Sequence, residues 1–529
     1  MARQLITIDS ILGGQSATQY IGGKGTFNSS IALDPDLPIG SDIKTSGMLV
    51  PSRYEKFSGV EITGFPSWII TQPKTTNSFL YASDGKLHSF DSSIAMRTSD
   101  EASTSLPITI SGGAGNGAVY YNNFIYLMEA MDITQYGGMD QGASITETTN
   151  VWTGGKFGLT ALTNTTYPSI RGTPIPNHAG HIHGDNAMYF CDVVNGQGVL
   201  HKLKTKETTI EGDTNDSSSF NALDLPFGFF PTDIESWGTD IIICAIQTLD
   251  TTINQGKAAI FIWNPTDTVS FYRGPIYLPD PLVTAMLNIN GVVHIWSGNA
   301  NNGVRLSRYL GGDVIEEILY LEEGVPPFAG SVDALGNRIA FGGFTTYPVS
   351  SASVLSYGSK RADLPKGLNN IVKSTSTGST QMVFSLKYLQ QTSNIAPRLI
   401  VGWGDGSAKG LDKLSTSATY ASVFRSEMFN VGRKFEIEEI RIPLGAAVAS
   451  NMSIVPKILF DDLSTTITLD TINDTNFTGS ERKIIYKNPD LKTARGENNF
   501  LMEFTFGGTV ELPITLPIEI IISTFDDEA

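Results

Sequence analysis

Three of the six histidines in this chain fall within residues 178–185, a short segment that also contains an aspartate. In a β-strand, His181 and His183 would project from the same face, because side chains two residues apart share a face. With His178 or Asp185 they would offer the imidazole and carboxylate ligands that zinc takes. No glutamate-bearing metalloprotease motif accompanies them. We expect them instead to hydrogen-bond between neighbouring sheets, with no metal and no cofactor bound.

A second candidate chemistry is glycoside hydrolysis, which requires two carboxyl groups on either side of the scissile bond. Six acidic residues lie near predicted strand edges: Asp233, Glu235, Asp280, Glu322, Glu323 and Asp333. A sequence does not show their separation in space. The Asp84-Gly85 pair, another candidate, is explained by turn chemistry alone.

Other chemical motifs are weaker. The acidic segment 211–217 offers oxygen donors suited to Ca²⁺, but it lacks the central glycine and the terminal bidentate glutamate of an EF-hand loop. The sequence contains no Gly-x-Ser-x-Gly elbow and no Walker A loop. Cys191 and Cys244 lie in apolar runs that favour buried free thiols, and a disulfide between them is left open. We therefore assign no catalytic, cofactor-binding or metal-binding residue and predict that the protein is not an enzyme.

Composition narrows the class of protein. The chain has 529 residues, a net charge of −17, 53 glycines and 25 prolines. Abundant turn-forming residues favour short strands over helices. The acidic balance argues against binding to nucleic acid or anionic membranes, which needs clustered Lys and Arg. The N-terminal apolar stretch ends at Asp9, which is too short for a secretory signal, and no apolar run is long enough for membrane insertion.

A strand–turn–strand signature recurs down the middle of the chain. The clearest copy spans residues 79–91, where two apolar runs flank Asp84-Gly85. Such residues adopt the positive φ angles that tight hairpins need. Looser copies occupy residues 118–136, 187–204, 239–263, 291–309, 338–357 and 381–403. Irregularly spaced hairpins of this kind predict an all-β fold with a degenerate β-propeller of six or seven blades, and a large two-sheet stack is the alternative.

Changes in pattern divide the chain into three parts. Residues 1–58 are rich in glycine and turn-forming proline, which predicts an extended N-terminal arm. Residues 59–414 contain the hairpins of the propeller. Residues 415–529 alternate apolar and charged positions, most clearly at 429–443, and predict a C-terminal β-sandwich or jelly roll. Its further strands are predicted at 452–460, 465–472, 481–487, 499–506 and 516–524.

The combination resembles virion structural proteins of tailed bacteriophages, in particular propeller-bearing nozzle or tail-hub subunits. The resemblance is carried by the glycine-rich arm, the Asp84-Gly85 and Tyr120-Tyr121-Asn122-Asn123 hairpin turns, and the polar segments 162–168 and 297–303. It is a resemblance of architecture and transfers no site residue. It implies a virion location in the phage tail, after synthesis in the host cytoplasm without a signal peptide.

Two functional hypotheses follow. The first is a noncatalytic tail component (nozzle, hub or adaptor) that assembles as a homo-oligomeric ring, binds other virion proteins and contacts the host, with a host-surface glycan as a candidate ligand. The alternative is a carbohydrate-binding or glycan-degrading propeller, in which two facing carboxylates and exposed aromatic residues would line a cleft.

Overall fold

The structure of the protein is a computed structural model in which almost every element is a β-strand. No helix in the described part of the chain is long and apolar enough to cross a membrane. The structure describes residues 2–11, 14–15, 26–34, 48–71, 78–90, 95–98, 105–110, 113–121, 124–129, 133–137, 146–152, 169–170, 173–174, 179–194, 197–206, 209–210, 219–247, 256–266, 272–299, 303–322, 324–345, 351–358, 366–378, 381–389, 397–405, 407–415, 417–461, 463, 465–477, 479–487, 491 and 494–525.

Strands flank a central series of repeated sheets on both sides. The N-terminal ones are β1 (Ala2–Ile8), β2 (Gly14–Gln15), β3 (Thr26–Ile31) and β4 (Tyr54–Lys56). The C-terminal ones are β35 (Ser422–Ser426), β36 (Phe429–Asn430), β37 (Phe435–Pro443), β38 (Met452–Phe460), β39 (Thr466–Thr468), β40 (Lys483–Lys487), β41 (Arg495–Gly496), β42 (Asn499–Gly508) and β43 (Ile518–Thr524).

The repeated sheets are seven antiparallel blades. Blade 1 contains β5 (Pro66–Thr71), β6 (Ser78–Ala82), β7 (Lys86–Phe90) and β8 (Ile108–Thr109), and blade 2 contains β9 (Gly113–Tyr121), β10 (Phe124–Glu129), β11 (Ile133–Gly137) and β12 (Thr146–Trp152). A two-stranded ribbon of β13 (Ser169–Ile170) and β14 (Thr173–Pro174) follows. Blade 3 contains β15 (Gly180–Ile182), β16 (Ala187–Val194), β17 (Gln197–Lys206), β18 (Thr209–Ile210) and β19 (Ser219–Asp224).

Blades 4 to 7 follow the same plan, with a single 3₁₀ turn at Ala329–Ser331 between blades 5 and 6. Blade 4 contains β20 (Phe229–Trp237), β21 (Asp240–Gln247), β22 (Lys257–Trp263) and β23 (Tyr272–Tyr277), and blade 5 contains β24 (Leu282–Ile289), β25 (Val292–Asn299), β26 (Gly303–Gly311) and β27 (Val314–Leu321). Blade 6 contains β28 (Val332–Leu335), β29 (Arg338–Thr345), β30 (Ser351–Tyr357) and β31 (Leu368–Lys373). Blade 7 contains β32 (Met382–Leu389), β33 (Arg398–Gly404) and β34 (Lys409–Leu414).

The blades form a closed ring. The first strand of each blade packs against the first strand of the next, and β32 of blade 7 packs against β5 of blade 1. The fourth strand of blade 7 is β4, which pairs antiparallel with β34. The all-β propeller prediction is therefore confirmed, and the described strands form seven blades. Each of the seven predicted hairpins lies in a separate blade, because a hairpin needs only local turn chemistry and alternating burial.

The inner strands share a local irregularity. In β5, β20, β24 and β32 the pairing register shifts by one residue near the start of the strand. The extra residues are Ser67, Thr232, Thr284 and Phe384. Thr232 donates its hydroxyl to the carbonyl oxygen of Val283 in the next blade at 2.8 Å. Such bulges bend a strand and redirect its side chains, which here helps to join neighbouring blades.

The flanking strands form a two-sheet sandwich. One sheet has the order β1-β43-β37-β40, with β41 also on β37, and the other has the order β2-β3-β35-β42-β38-β39, with β36 also on β42. Phe435, Ile454 and Phe504 belong to the apolar core between them. Strands occur in every predicted segment of this region, although those within 465–472 and 481–487 are shorter. The predicted sandwich is confirmed.

Residues 1–58, predicted as an extended arm, contribute strands to both domains. β1 pairs with β43 from Ala2 to Ile8, and β3 pairs with β35. β4 completes blade 7. Between them, the N–H of Leu33 donates to the carbonyl oxygen of Asn370 in blade 6 at 2.9 Å. These strands satisfy backbone groups at the edges of sheets that would otherwise lack partners.

A buried ion pair fixes this segment to blade 6. Both terminal nitrogens of Arg338 lie 3.0 Å from carboxylate oxygens of Asp34. The side chain of Arg338 is 1% exposed and that of Asp34 is 10% exposed. The guanidinium also donates to the hydroxyl of Ser356 at 3.2 Å. A bidentate pair of this kind requires both partners, because either charge alone would be costly to bury.

We predict that Arg338→Met lowers the free energy of unfolding by about 3–5 kcal/mol, because Asp34 keeps its charge in a buried site without its main partner. The measurement is the urea midpoint followed by tryptophan fluorescence. Arg308→Met is the matched control, because Arg308 pairs with Glu316 at a site where both side chains are over one-third exposed. That control should cost less than about 1 kcal/mol. Equal losses for the two variants would contradict the prediction.

Candidate functional site

The predicted histidine cluster lies where blade 3 meets blade 4. His181 is on β15 and His183 follows that strand directly. Nε2 of His181 lies 2.7 Å from the hydroxyl oxygen of Ser236 on β20, and Nδ1 of His183 lies 2.9 Å from the same oxygen. The two imidazoles therefore connect adjacent blades, as expected for a structural role.

Hydrogen-bond chemistry assigns the protons in this group. Nε2 of His183 lies 3.1 Å from the carbonyl oxygen of Thr239, which can only accept, so this nitrogen carries the proton. In the neutral ring Nδ1 is then an acceptor, and the Ser236 hydroxyl donates to it. With its only proton used, Ser236 accepts from Nε2–H of His181. Burial, reinforced by the neighbouring His183, lowers the pKa of His181 to about 4, so this ring is neutral at pH 7.

The remaining members of the predicted zinc set are His178 and Asp185. His178 lies outside the described residues. The carboxylate of Asp185 accepts hydrogen bonds from Lys202 at 2.8 Å and from Tyr189 at 2.7 Å. Burial opposes ionisation of Asp185, but these bonds outweigh it and lower the pKa. Among the residues with described positions, no three His, Cys, Asp or Glu side chains come close enough to hold a metal ion.

The carboxylates of β20 bond to the backbone of blade 5. Asp233 accepts the N–H of Met286 at 2.6 Å and that of Ile234 at 2.9 Å. Glu235, two residues along the same strand, accepts the N–H of Ser236 at 3.0 Å and also that of Asn288. Burial raises the pKa of Asp233 well above its usual range. Both side chains thus clamp the inner strands of neighbouring blades together.

Blade 6 uses the same device. One oxygen of Asp333 accepts the N–H of Tyr388 in blade 7 at 2.7 Å, and the other accepts from the ammonium group of Lys387 at 3.0 Å. Of the other predicted carboxylates, Asp280 accepts from Ser297 at 2.5 Å and from Arg305 at 3.1 Å. Glu322 is exposed, and Glu323 lies outside the described residues.

Glu235 differs from the other clamps in its ionisation. Burial raises the pKa of its carboxyl to about 7, against the lowering effects of the two backbone N–H donors and of the Lys387 charge. Its side chain is 15% exposed, and Nε2 of His181 lies 3.5 Å from Oε1. A carboxyl that is half protonated near neutrality can donate a proton, which is the property required of a general acid.

We call His181, Ser236, Glu235, Asp333 and Lys387 the axial cluster, because all five lie on inner strands of the propeller. The sequence identified His181 and the two carboxylates. It did not identify Ser236 or Lys387, because their partners lie on other blades, 53 to 55 residues away, and no local spacing reports such contacts. The cluster holds its blades together and contains one group, Glu235, suited to proton transfer.

Several other sequence candidates have structural explanations. Cys191 and Cys244 are fully buried free thiols, and burial raises the pKa of both. Gly85 has φ of 74°, as the tight turn after Asp84 requires. The glycan hypothesis calls for exposed aromatic residues, but Trp263, Trp296 and Trp403 are buried in or between blades. The acidic segment 211–217 lies outside the described residues.

No family model matches the chain, and no curated protein matches it. Solved structures with propellers are similar at low level. The WD40 domain of Pan2 from Neurospora crassa shows 7% identity and a TM-score of 0.41, covering 68% of this chain and 95% of that one. The WD40 β-propeller domain of Doa1 shows 10% identity and a TM-score of 0.39, covering 69% and 97%. An exo-β-1,3-galactanase from Phanerochaete chrysosporium shows 8% identity and a TM-score of 0.28, covering 89% and 100%. Similarities at this level carry no information about activity.

We predict that Glu235→Gln increases stability relative to the wild type as pH rises. The folded-state pKa of Glu235 is raised to about 7 from an ordinary value of 4.5, so its favourable contribution is complete below pH 4.5 and is lost as pH rises through 7. The variant should gain up to about 3 kcal/mol relative to wild type between pH 4.5 and pH 8, measured as urea midpoints across that range. A pH-independent difference would show that this carboxyl titrates normally.

Proposed function

We propose that the protein is a noncatalytic structural subunit of a larger assembly, of the kind found in the tails of tailed bacteriophages, where it forms a homo-oligomeric ring. The observation that carries the proposal is that polar side chains on the inner strands form hydrogen bonds between neighbouring blades. The imidazoles of His181 and His183 and the carboxylates of Asp233 and Asp333 all bond across blade boundaries. Such groups add rigidity to a scaffold, because each buried acceptor already has its donors.

An exposed sheet edge supports association with other subunits. β1 is the terminal strand of its sheet among the described strands. Leu5 on this strand is 57% exposed, and the side chain of Arg3 is 63% exposed. At the opposite edge, β40 carries exposed lysines at Lys483 and Lys487, which discourage pairing with another strand. β1 is therefore the edge better suited to extension by a neighbouring strand.

We predict that the purified protein forms rings, seen by mass photometry and negative-stain electron microscopy. Leu5→Lys should reduce the assembled fraction, because a lysine on an edge strand opposes pairing. Val510→Lys, at an exposed apolar position outside the strands, adds the same charge away from this edge and separates the two effects. A strictly monomeric protein that degrades glycans would contradict the proposal.

Glycan hydrolysis is the second candidate, and the raised pKa of Glu235 is the observation that favours it. Lys387 lies 3.0 Å from Asp333 and its charge also acts on Glu235, so two carboxyls share one cation. In such an enzyme Glu235 would be the general acid and Asp333 the second carboxylate.

This candidate predicts hydrolysis of an oligosaccharide in a screen of host-surface glycans, with a loss of at least about a hundredfold in Glu235→Gln. Asp280→Asn is the control, because Asp280 bonds to Ser297 and Arg305 outside the axial cluster. No turnover by the wild type, or equal rates for wild type and Glu235→Gln, would eliminate it.

A further inference from the structure

The sandwich contains a pocket between its two sheets, at the end where β37 begins and β38 ends. Its volume is about 630 Å³, within the range of sites that take ligands or partner side chains. Its apolar lining is Phe435, Phe460 and Phe525, and Thr465 lies among the lining residues. We call this the sandwich pocket.

Gly496 allows the sandwich pocket to form. A β-carbon at this position would lie 2.4 Å from the ring of Phe435 and 2.9 Å from that of Phe460. The backbone of β41 therefore lies directly against both rings, and together they make a closed apolar floor. Apolar side chains line this end of the sandwich without filling it, whereas they fill the rest of the core between the two sheets.

The rim of the sandwich pocket is charged and open to solvent. The side chains of Lys434 and Arg495 are 50% and 69% exposed. The carboxylate of Asp461 already accepts hydrogen bonds from the backbone N–H groups of residues 497, 498 and 499, at 2.6 to 3.0 Å. Lys434 and Arg495 lie near Glu497 and Glu436, and because both cations are themselves exposed, an incoming carboxylate can compete for them.

The propeller presents an exposed aromatic side chain that the sandwich pocket is large enough to hold. Phe227, between blades 3 and 4, is 78% exposed, the highest value among the exposed large apolar residues with described positions. The N–H of Phe229 donates to the carbonyl oxygen of Pro226 at 3.1 Å, and Gly228 has φ of 86°. These features define a type II turn with Phe227 at its tip.

The turn is rigidly held from both sides. Leu225 and Phe229 are buried, and the N–H and carbonyl groups of Leu225 bond to Gly198 and Gln197, each at 2.8 Å. Presentation of Phe227 therefore costs little conformational entropy on binding. The exposed carboxylate of Asp224 precedes the turn and would meet the cationic rim of the sandwich pocket.

We propose that Phe227 of one copy of the chain inserts into the sandwich pocket of a neighbouring copy, with Asp224 facing Lys434 and Arg495. The contact joins two different surfaces of the chain, and repeated heterologous contacts of this kind generate rings when the rotation closes. A buried aromatic side chain at such a site is a typical energetic centre of an interface. The inference rests on the proposed assembly function and identifies one of its interfaces.

Cysteine cross-linking tests the contact in the full-length protein. Phe227→Cys and Thr465→Cys are prepared as separate variants and mixed under mild oxidation. A covalent dimer containing one of each variant is expected, because a disulfide requires Cα atoms within about 7 Å. The native thiols of Cys191 and Cys244 are fully buried and do not compete. Leu310→Cys, at another exposed apolar position, is mixed with Thr465→Cys as the control and should not cross-link.

A second measurement follows the strength of assembly. Phe227→Ser should weaken self-association by about tenfold or more, whereas Leu310→Ser should leave it unchanged. Lys434→Glu with Arg495→Glu should also weaken it, and Asp224→Lys added to them should restore part of the loss. Assembly that persists without the Phe227–Thr465 cross-link and is unaffected by Phe227→Ser would overturn this inference but leave the proposed function standing. A protein that is monomeric under all conditions would overturn both.

Discussion

Closure of the propeller ring by a strand from outside the repeats is the constraint on which the rest of the structure depends. The fourth strand of blade 7 is β4, and its pairing brings Lys56 opposite Asp412. The N–H of Phe57 extends the contact to the carbonyl oxygen of Leu411 at 2.8 Å. Because residues 54–56 must lie at the edge of the last blade, the chain before them is placed beside the sandwich, where β1 and β3 complete its sheets. The buried pair of Arg338 and Asp34 stabilises this path between the two domains.

The polar inner strands follow from the same geometry. Seven sheets around an axis bring inner strands close enough for side chains of one blade to bond to the backbone of the next. Asp233 and Asp333 do so, and His181 and His183 reach Ser236. Each group is acceptable in a buried site only because its partners are fixed by the ring. Burial raises the pKa of both Asp233 and Glu235, and that of Glu235, at about 7, lies near neutrality, where the carboxyl can exchange a proton.

The sequence predicted what local chemistry determines. Turns such as Asp84-Gly85 and alternating runs such as Phe435–Pro443 predicted a hairpin in every blade and the strands of the sandwich. The closure of blade 7 was not predictable, because its fourth strand, β4, lies 356 to 360 residues from its pairing partners Asp412 to Leu414 in β34. The pairing of His181 with Ser236, and the meeting of Phe435 with Gly496, are equally nonlocal. Composition reveals none of these contacts.

The shared use of the N-terminal segment also governs when the molecule can fold. Ala2 pairs with Thr524, so β1 is synthesised about 520 residues before its partner strand. At about 5–20 residues per second that interval is roughly half a minute to two minutes. During it β1 lacks its partner, and β4 lacks its own until β34 has been synthesised, although the hairpins of blades 1 to 6 can form locally as they emerge. The ring can therefore close once β34 has been made, whereas the sandwich stays incomplete until β43 follows, so any interface between copies that uses the sandwich forms only after residue 524 has been synthesised.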